Sequence, residues 1–226
     1  MEWPAPNDPR ILASSVRPPC LSLYLPFGSA FAERGENALR FGQVVARASD
    51  RLGAAGLPDA AIAQWIDQLI GLQRKLWERG RTPQGVGVFV DHGGMRAFKL
   101  ASPPAERIIV AEWFALRELV HQLGVLQPRA ARDAALAADP SRLAISLDRI
   151  LAAAQRDAIS RLWTREGAAI AGRIDERTGR VVSAHGGDDD VLDALAARVL
   201  RSGGEVRVVG HPEQMPAAVN AAAELR

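Results

Sequence analysis

Three groups of side chains in this sequence have types and spacings that could do chemistry. His185, Asp188, Asp189 and Asp190 put imidazole and carboxylate groups into one short loop, the donor set of a divalent cation site. The same acids are what a helix start selects, because carboxylates meet the positive end of the helix dipole. The loop therefore reads more simply as a helix opening, and no metal is assigned to it. Asp91-His92, ahead of Gly93-Gly94, carries an acid and a base, yet no nucleophile stands at a recognisable spacing, and Asp and Gly are ordinary turn residues. His121 falls on a predicted helix and reads as a packed or solvated side chain.

No phosphate-binding GxGxxG follows a strand, and GxxxxGK[ST] and GxSxG are absent. Cys20 is the single cysteine, which excludes an internal disulfide and a closed cysteine-based zinc site. It sits in the apolar run Cys20 to Leu25, where a thiol behaves as a small hydrophobe. These residues assign no catalytic set and no cofactor, and the chain is expected not to be an enzyme.

The third group is cationic. Arg40, Arg47 and Arg51 fall on one face of a predicted helix, and Arg74, Lys75, Arg79 and Arg81 cluster at the end of the next. Guanidinium groups in a row can engage RNA phosphates or an acidic partner. A solvated helix face and favourable placement at a helix C-terminus are the simpler explanations for the two sets. The seven residues are the candidate RNA- or partner-binding surface.

Composition limits that reading. The chain has 226 residues, 48% of them hydrophobic, enough for two modest cores. Its 28 basic and 26 acidic side chains leave a formal charge of +2. Up to Gln127 there are 14 basic and 12 acidic residues, and beyond it 14 of each, so neither half is a polycation. No apolar run approaches a membrane span and the N-terminus lacks a signal pattern, which predicts a soluble cytoplasmic protein without membrane partners.

The elements that must position these groups follow from periodicity. Residues 1–19, with five prolines, read as an extended lead-in. Cys20 to Leu25 is a strand. Ala38, Phe41, Val45, Ala48 and Leu52 mark one amphipathic helix, and Ile62, Trp65, Ile66, Leu69, Leu72 and Leu76 a second. Gln84 to Val120 is the organising stretch: Gly85 to Val90, a turn at Asp91 to Gly94, Met95 to Leu100, then Arg107 to Ala111 as a third strand. A helix follows over Ala115 to Leu123. This gives an N-terminal domain over 20–126 with helices on a mixed sheet, and a linker over 127–138.

The second domain, 139–226, is predicted to open with a helix capped by Asp139 and Pro140. Strands follow at Ile159 to Trp163, Ala168 to Ile174 and Val181-Val182. A helix with Leu192, Leu195, Ala196 and Val199 on its buried side, a strand at Glu205 to Val209 and a final alanine-rich helix from Pro216 complete it. The fold class is α/β (α+β), in two small domains, the second a three-layer α/β/α arrangement.

In this order the segments resemble the bacterial members of the archaeo-eukaryotic class I peptide release factor superfamily, which includes pelota. The resemblance rests on Pro19 to Pro26 (PCLSLYLP), Gly87 to Val90, Met95 to Leu100 and Ile109 to Leu116. It also takes in Ala169 to Val181, Gly203 to Val206 and Met215-Pro216. The chain departs from the superfamily by lacking the middle domain, for which residues 127–138 leave no room. It also lacks the GGQ that promotes peptidyl-tRNA hydrolysis: Gly93-Gly94 is followed by Met95, Gly186-Gly187 by Asp188 and Gly203-Gly204 by Glu205. The resemblance implies a non-catalytic, ribosome-associated factor for rescue, hibernation or regulation. Its implied partners are ribosomal RNA and, through the C-terminal domain, a translational GTPase or other protein.

Two other readings remain open at this point. One is a protein-interaction module that does not act on the ribosome, which the near-neutral charge of both halves favours. The other is a small-molecule enzyme with a site between the domains, which would need Asp91, His92, His185 and Asp188 to converge.

Overall fold

The computed structural model describes residues 1–27, 34–77, 83–126, 140–175, 177–183, 189–210 and 219–226. The fold is α/β, in two compact units. One comprises Met1–Pro4 and Arg17–Glu112, the other Ala5–Val16 and Trp113–Arg226.

The N-terminal unit is built from β1 (Cys20–Pro26), α2 (Arg34–Ala54), α3 (Asp59–Trp77), β2 (Gly85–Asp91), β3 (Gly94–Leu100) and β4 (Arg107–Ala111). Its strands run in the order β3-β2-β1-β4, and every pairing is antiparallel. Among its four strands the sheet is therefore not mixed, and Glu2 adds an isolated parallel bridge to Phe98 of β3. The expected three-stranded ladder is also incomplete, because β1 inserts between β2 and β4. A seven-residue strand buried along most of its length, with both edges paired, belongs at a sheet centre.

Alternation along the strands sorts the two faces. Leu21, Leu23, Leu25, Val86, Val88 and Val90 join Phe41, Val45, Ala48 and Leu52 of α2 and Ile62, Trp65, Leu69 and Leu72 of α3 in one core. Met95 packs on this helix side. Phe98, three residues on, points the other way, where Tyr24, Phe89 and Phe98 stack edge to face with centroids 5.7 and 6.0 Å apart. The chain thus carries Met95 and Phe98 on opposite faces, as a period of two requires.

The C-terminal unit contains α1 (Asp8–Ser14), α4 (Arg117–Leu126), β5 (Leu143–Ala144), α5 (Leu147–Gln155), β6 (Ile159–Arg165), β7 (Arg173–Ile174), β8 (Val181–Val182), α6 (Val191–Arg201), β9 (Glu205–Val209) and β10 (Ala221–Leu225). Its main sheet has the order β5-β10-β6-β9, with β6 and β9 parallel and the other pairs antiparallel. Helices α5 and α6 pack on each other and on this sheet, α1 lies against α6, and α4 runs beside β9.

Several expectations change here. The lead-in is not extended throughout: α1 buries Pro9, Leu12 and Ala13, and Arg10 reaches the carbonyls of Gly203 and Gly204 at 3.4 Å. Pro9, near the helix start, favours rather than blocks it. Helix α4 belongs with the second unit, so the division falls at Glu112/Trp113; the expected linker at 127–138 lies outside the described residues. The helix expected at Asp139 starts at Leu147, after a 3₁₀ turn at Pro140–Arg142 and β5. Of Ala168 to Ile174 only Arg173–Ile174 is strand.

The alanine-rich end is a strand, not a helix. Ala221, Ala222 and Ala223 sit opposite Thr164, Trp163 and Leu162, and burial between neighbours outweighs alanine's helix preference. Residues 211–218, including Pro216, lie outside the described residues.

Thr164 Oγ1, on a residue of zero exposure in this sheet, is a buried polar atom with no hydrogen-bond partner among the described residues. Thr164→Val removes that hydroxyl at nearly constant volume. It is expected to raise unfolding stability in urea by about 1 kcal/mol; a loss of similar size would show that the hydroxyl is bonded.

Candidate nucleic-acid or partner interface

The arginines of α2 lie along one flank of the helix, and that flank faces the sheet edge. Arg40 Nη1 donates to the Pro26 carbonyl at 3.4 Å, Arg47 pairs with Glu106, and Arg51 donates to the Ile108 carbonyl on β4. A helix flank bordering an apolar stripe suits arginine, whose stem covers apolar surface while its head finds acceptors at the rim. Arg51 also occupies a carbonyl of the edge strand β4, which lowers that edge's capacity to pair with another chain.

The opposite flank of α2 faces α3. Gln73 Nε2 donates to the Ala38 carbonyl at 2.9 Å, and a Cβ at Gly53 would lie 3.9 Å from Ile62 Cδ1. Arg74 and Lys75, exposed near the end of α3, are thus separated from Arg47 and Arg51 by the width of α2. The structure groups Arg40, Arg47 and Arg51, and it does not make one continuous stripe of them with Arg74 and Lys75. Arg79 and Arg81 lie outside the described residues. The Arg47 side chain is 54% exposed, so its ion pair contributes little to stability and its charge remains available at the surface.

The turn between β2 and β3 has a different construction. Asp91 is buried, and it accepts from the Arg17 backbone N–H at 2.9 Å and from the Gly93 N–H at 2.6 Å. Its role here is to hold the turn and the segment before β1 together. His92 is exposed, with its ring 5.5 Å from that of Trp65. His185 and Asp188 lie outside the described residues, so the four-residue constellation of the enzyme reading is not described. Among the described residues no group of three His, Cys, Asp or Glu side chains could hold a metal ion.

Sequence reasoning missed a buried charge cluster. Arg117, at the first position of α4, pairs with Asp190 and, through Nε at 3.0 Å, with Asp193; Nη1 also donates to the Ala168 carbonyl at 2.8 Å. All three residues are buried. Asp190 doubles as the N-cap of α6: Oδ1 accepts from Leu192 N at 2.9 Å and from Ile170 N at 3.0 Å. Burial pushes the Asp190 carboxyl above the ordinary aspartate range, opposed by the Arg117 guanidinium. Asp189 is likewise raised by burial, with Arg173 acting in the opposite direction. The available signal was Arg117 itself, a charge inside the apolar run Phe114 to Val120. Of the loop's acids, Asp190 thus serves the helix start, while Asp188 lies outside the described residues and Arg117 supplies a cation no spacing rule pointed to. His121, on the same helix, has Nδ1 3.5 Å from Glu166 Oε1.

Among the described residues no helix is long and apolar enough to cross a membrane. No family model matches the chain, and no curated protein does. A solved structure described as "Archaeal protein" aligns over 96% of this chain and 95% of its own, at 12% identity and a TM-score of 0.33.

Proposed function

We propose that this chain is a non-catalytic, cytoplasmic, ribosome-associated factor related to release, rescue or hibernation proteins, acting without peptidyl-tRNA hydrolysis. One observation supports the reading most. Pro19 to Pro26, Gly87 to Val90 and Met95 to Leu100, three segments that carry the resemblance to the release factor and pelota superfamily, lie on neighbouring strands β1, β2 and β3. These three segments thus form one contiguous piece of structure. Ribosomal RNA is the proposed partner of the cationic groups on α2 and α3, and a translational GTPase or other protein that of the C-terminal unit.

Cosedimentation with intact bacterial ribosomes tests this. Pelleting is expected at about 50 mM salt and should fall steeply by about 200 mM, because binding to phosphates releases counterions. Substituting Arg47, Arg74 and Lys75 by Ala is expected to weaken pelleting and to lower the salt slope by about 1 for each phosphate no longer engaged. Stability should change by less than about 1 kcal/mol, as these heads stand at the surface. Absence of salt-sensitive pelleting by the unaltered protein would remove the ribosomal reading.

A second reading, a protein-interaction module acting away from the ribosome, draws support from α2. Arg40 and Arg51 already donate to carbonyls of their own unit, and Arg47 already has a carboxylate. On that reading the same variants leave a salt-insensitive protein complex intact.

A further inference from the structure

We propose that the outer face of α3 is an isologous interface through which two copies of this chain form a dimer, with Ile70 beside the two-fold axis. The inference goes beyond the ribosomal reading and does not rest on it. Ala63, Asp67, Ile70 and Arg74, spaced four, three and four apart, make one helical stripe. All four are exposed, while Ile62, Trp65, Leu69 and Leu72 of the same helix point into the core. Ile70 is thus a large apolar side chain turned away from the core, at 36% exposure. Helices α2 and α3 run antiparallel, Ala38 meeting Gln73 near one end and Gly53 meeting Ile62 near the other. That register brings Leu39, 66% exposed on α2, within about one turn of Ile70. Gly42 and Gly71, in the same part of the pair, have open space where a Cβ would stand, which lets a second backbone come close.

The charges on this stripe select the occupant. Asp67 lies three residues before Ile70 and Arg74 four after it, so the two stand about 10 Å apart along the axis, beyond the reach of helix pairs three or four residues apart. No basic residue stands three or four positions from Asp67; those places hold Ala63, Gln64, Ile70 and Gly71. Neither Asp67 nor Arg74 forms an ion pair among the described residues, in contrast to Arg47. A two-fold axis beside Ile70 reverses α3 in the second copy and sets Asp67 of each copy against Arg74 of the other. One operation thus gives both charges a partner, twice over, and encloses Ile70 and Leu39 of both copies between them. An acidic partner or RNA would satisfy Arg74 and repel Asp67, and a basic partner would do the reverse. Opposite charges on either side of one exposed apolar residue fit the same helix running the other way. Arg40, Arg47 and Arg51, on the far flank of α2, stay outside the interface.

The experiment is sedimentation velocity of the full chain from about 1 to about 100 µM, since the dimer population follows mass action. The mass is expected to rise with concentration from 24.3 kDa toward twice that value. Ile70→Lys, Asp67→Arg and Arg74→Asp, all at exposed positions, should each weaken dimerisation at least about tenfold, the last two because like charges then face each other. The double variant Asp67→Arg/Arg74→Asp exchanges the two signs and should dimerise within about threefold of the unaltered protein, the mark of residues that couple directly. An equimolar mixture of Asp67→Arg protein with Arg74→Asp protein should also dimerise at concentrations where either alone is monomeric, because each supplies the charges the other needs. An unaltered protein that stays monomeric across the range would overturn the proposal. So would a dimer indifferent to the single substitutions, or charge variants rescued neither by the double exchange nor by mixing. Should Ile70→Lys unfold the helix, the charge exchange decides alone. No ribosome enters these measurements, so the ribosomal reading stands or falls separately on its pelleting test.

Discussion

Arg117→Met is expected to destabilise the C-terminal unit by about 3–5 kcal/mol, the scale on which a buried ion pair fails when one partner is removed. The Arg117 side chain is 8% exposed, Asp190 6% and Asp193 10%, so water does not replace the lost cation. Two carboxylates would then share a dry site with no positive charge between them. Arg117→Lys should recover only part of the loss. A single ammonium cannot repeat a fork that donates to Asp190, Asp193 and the Ala168 carbonyl together. Urea unfolding gives the magnitude, and hydrogen exchange at the Ile170 and Leu192 amides locates it, since both donate to Asp190. A loss below about 1 kcal/mol would mean that the cluster is screened as a surface pair is.

Cys20 should be close to inert toward thiol reagents in the native protein. Burial, reinforced by the Asp91 carboxylate, pushes its thiol up from 9.0 to about 12. At pH 8 that cuts the thiolate population by about a thousandfold, and the thiolate is the species that reacts. Labelling with Ellman's reagent is therefore expected to be silent in native buffer and to appear with unfolding. Fast labelling of folded protein would show the thiol to be accessible. The same shift makes stability depend on pH in a definite direction. The folded state keeps a proton that the unfolded state loses, so this contribution is complete below pH 9 and is lost as pH rises toward 12, at about 1.4 kcal/mol per unit.

The sequence was most legible where periodicity is long. The stripe Phe41, Val45, Ala48, Leu52 and the stripe Ile62, Trp65, Leu69, Leu72 fall in one core, because a helix of five turns leaves little choice about which face is apolar. Short elements were less legible. Ala221 to Ala223 favour a helix by propensity, and only the partners Thr164, Trp163 and Leu162 make them a strand. Residues 8–14 looked like part of a proline-rich tail because the surface that buries Leu12 and Ala13 is distant in sequence.

The candidate site divides in the same way. That Arg40, Arg47 and Arg51 share a helix face follows from their spacing alone. Whether that face is open does not, since Glu106 and the Ile108 carbonyl lie more than fifty residues away. Spacing likewise placed acids at the start of α6 but was silent on Arg117, seventy-three residues before Asp190. By itself the sequence determined the apolar faces, the turns and the α/β class, since these depend on neighbours within a few positions. Only the tertiary structure decided which arginines are occupied, which carboxylate is withdrawn from the surface and which strand lies at the centre of the sheet. Those outcomes depend on acceptors and partners that chain folding brings from far along the sequence, and no local pattern encodes them.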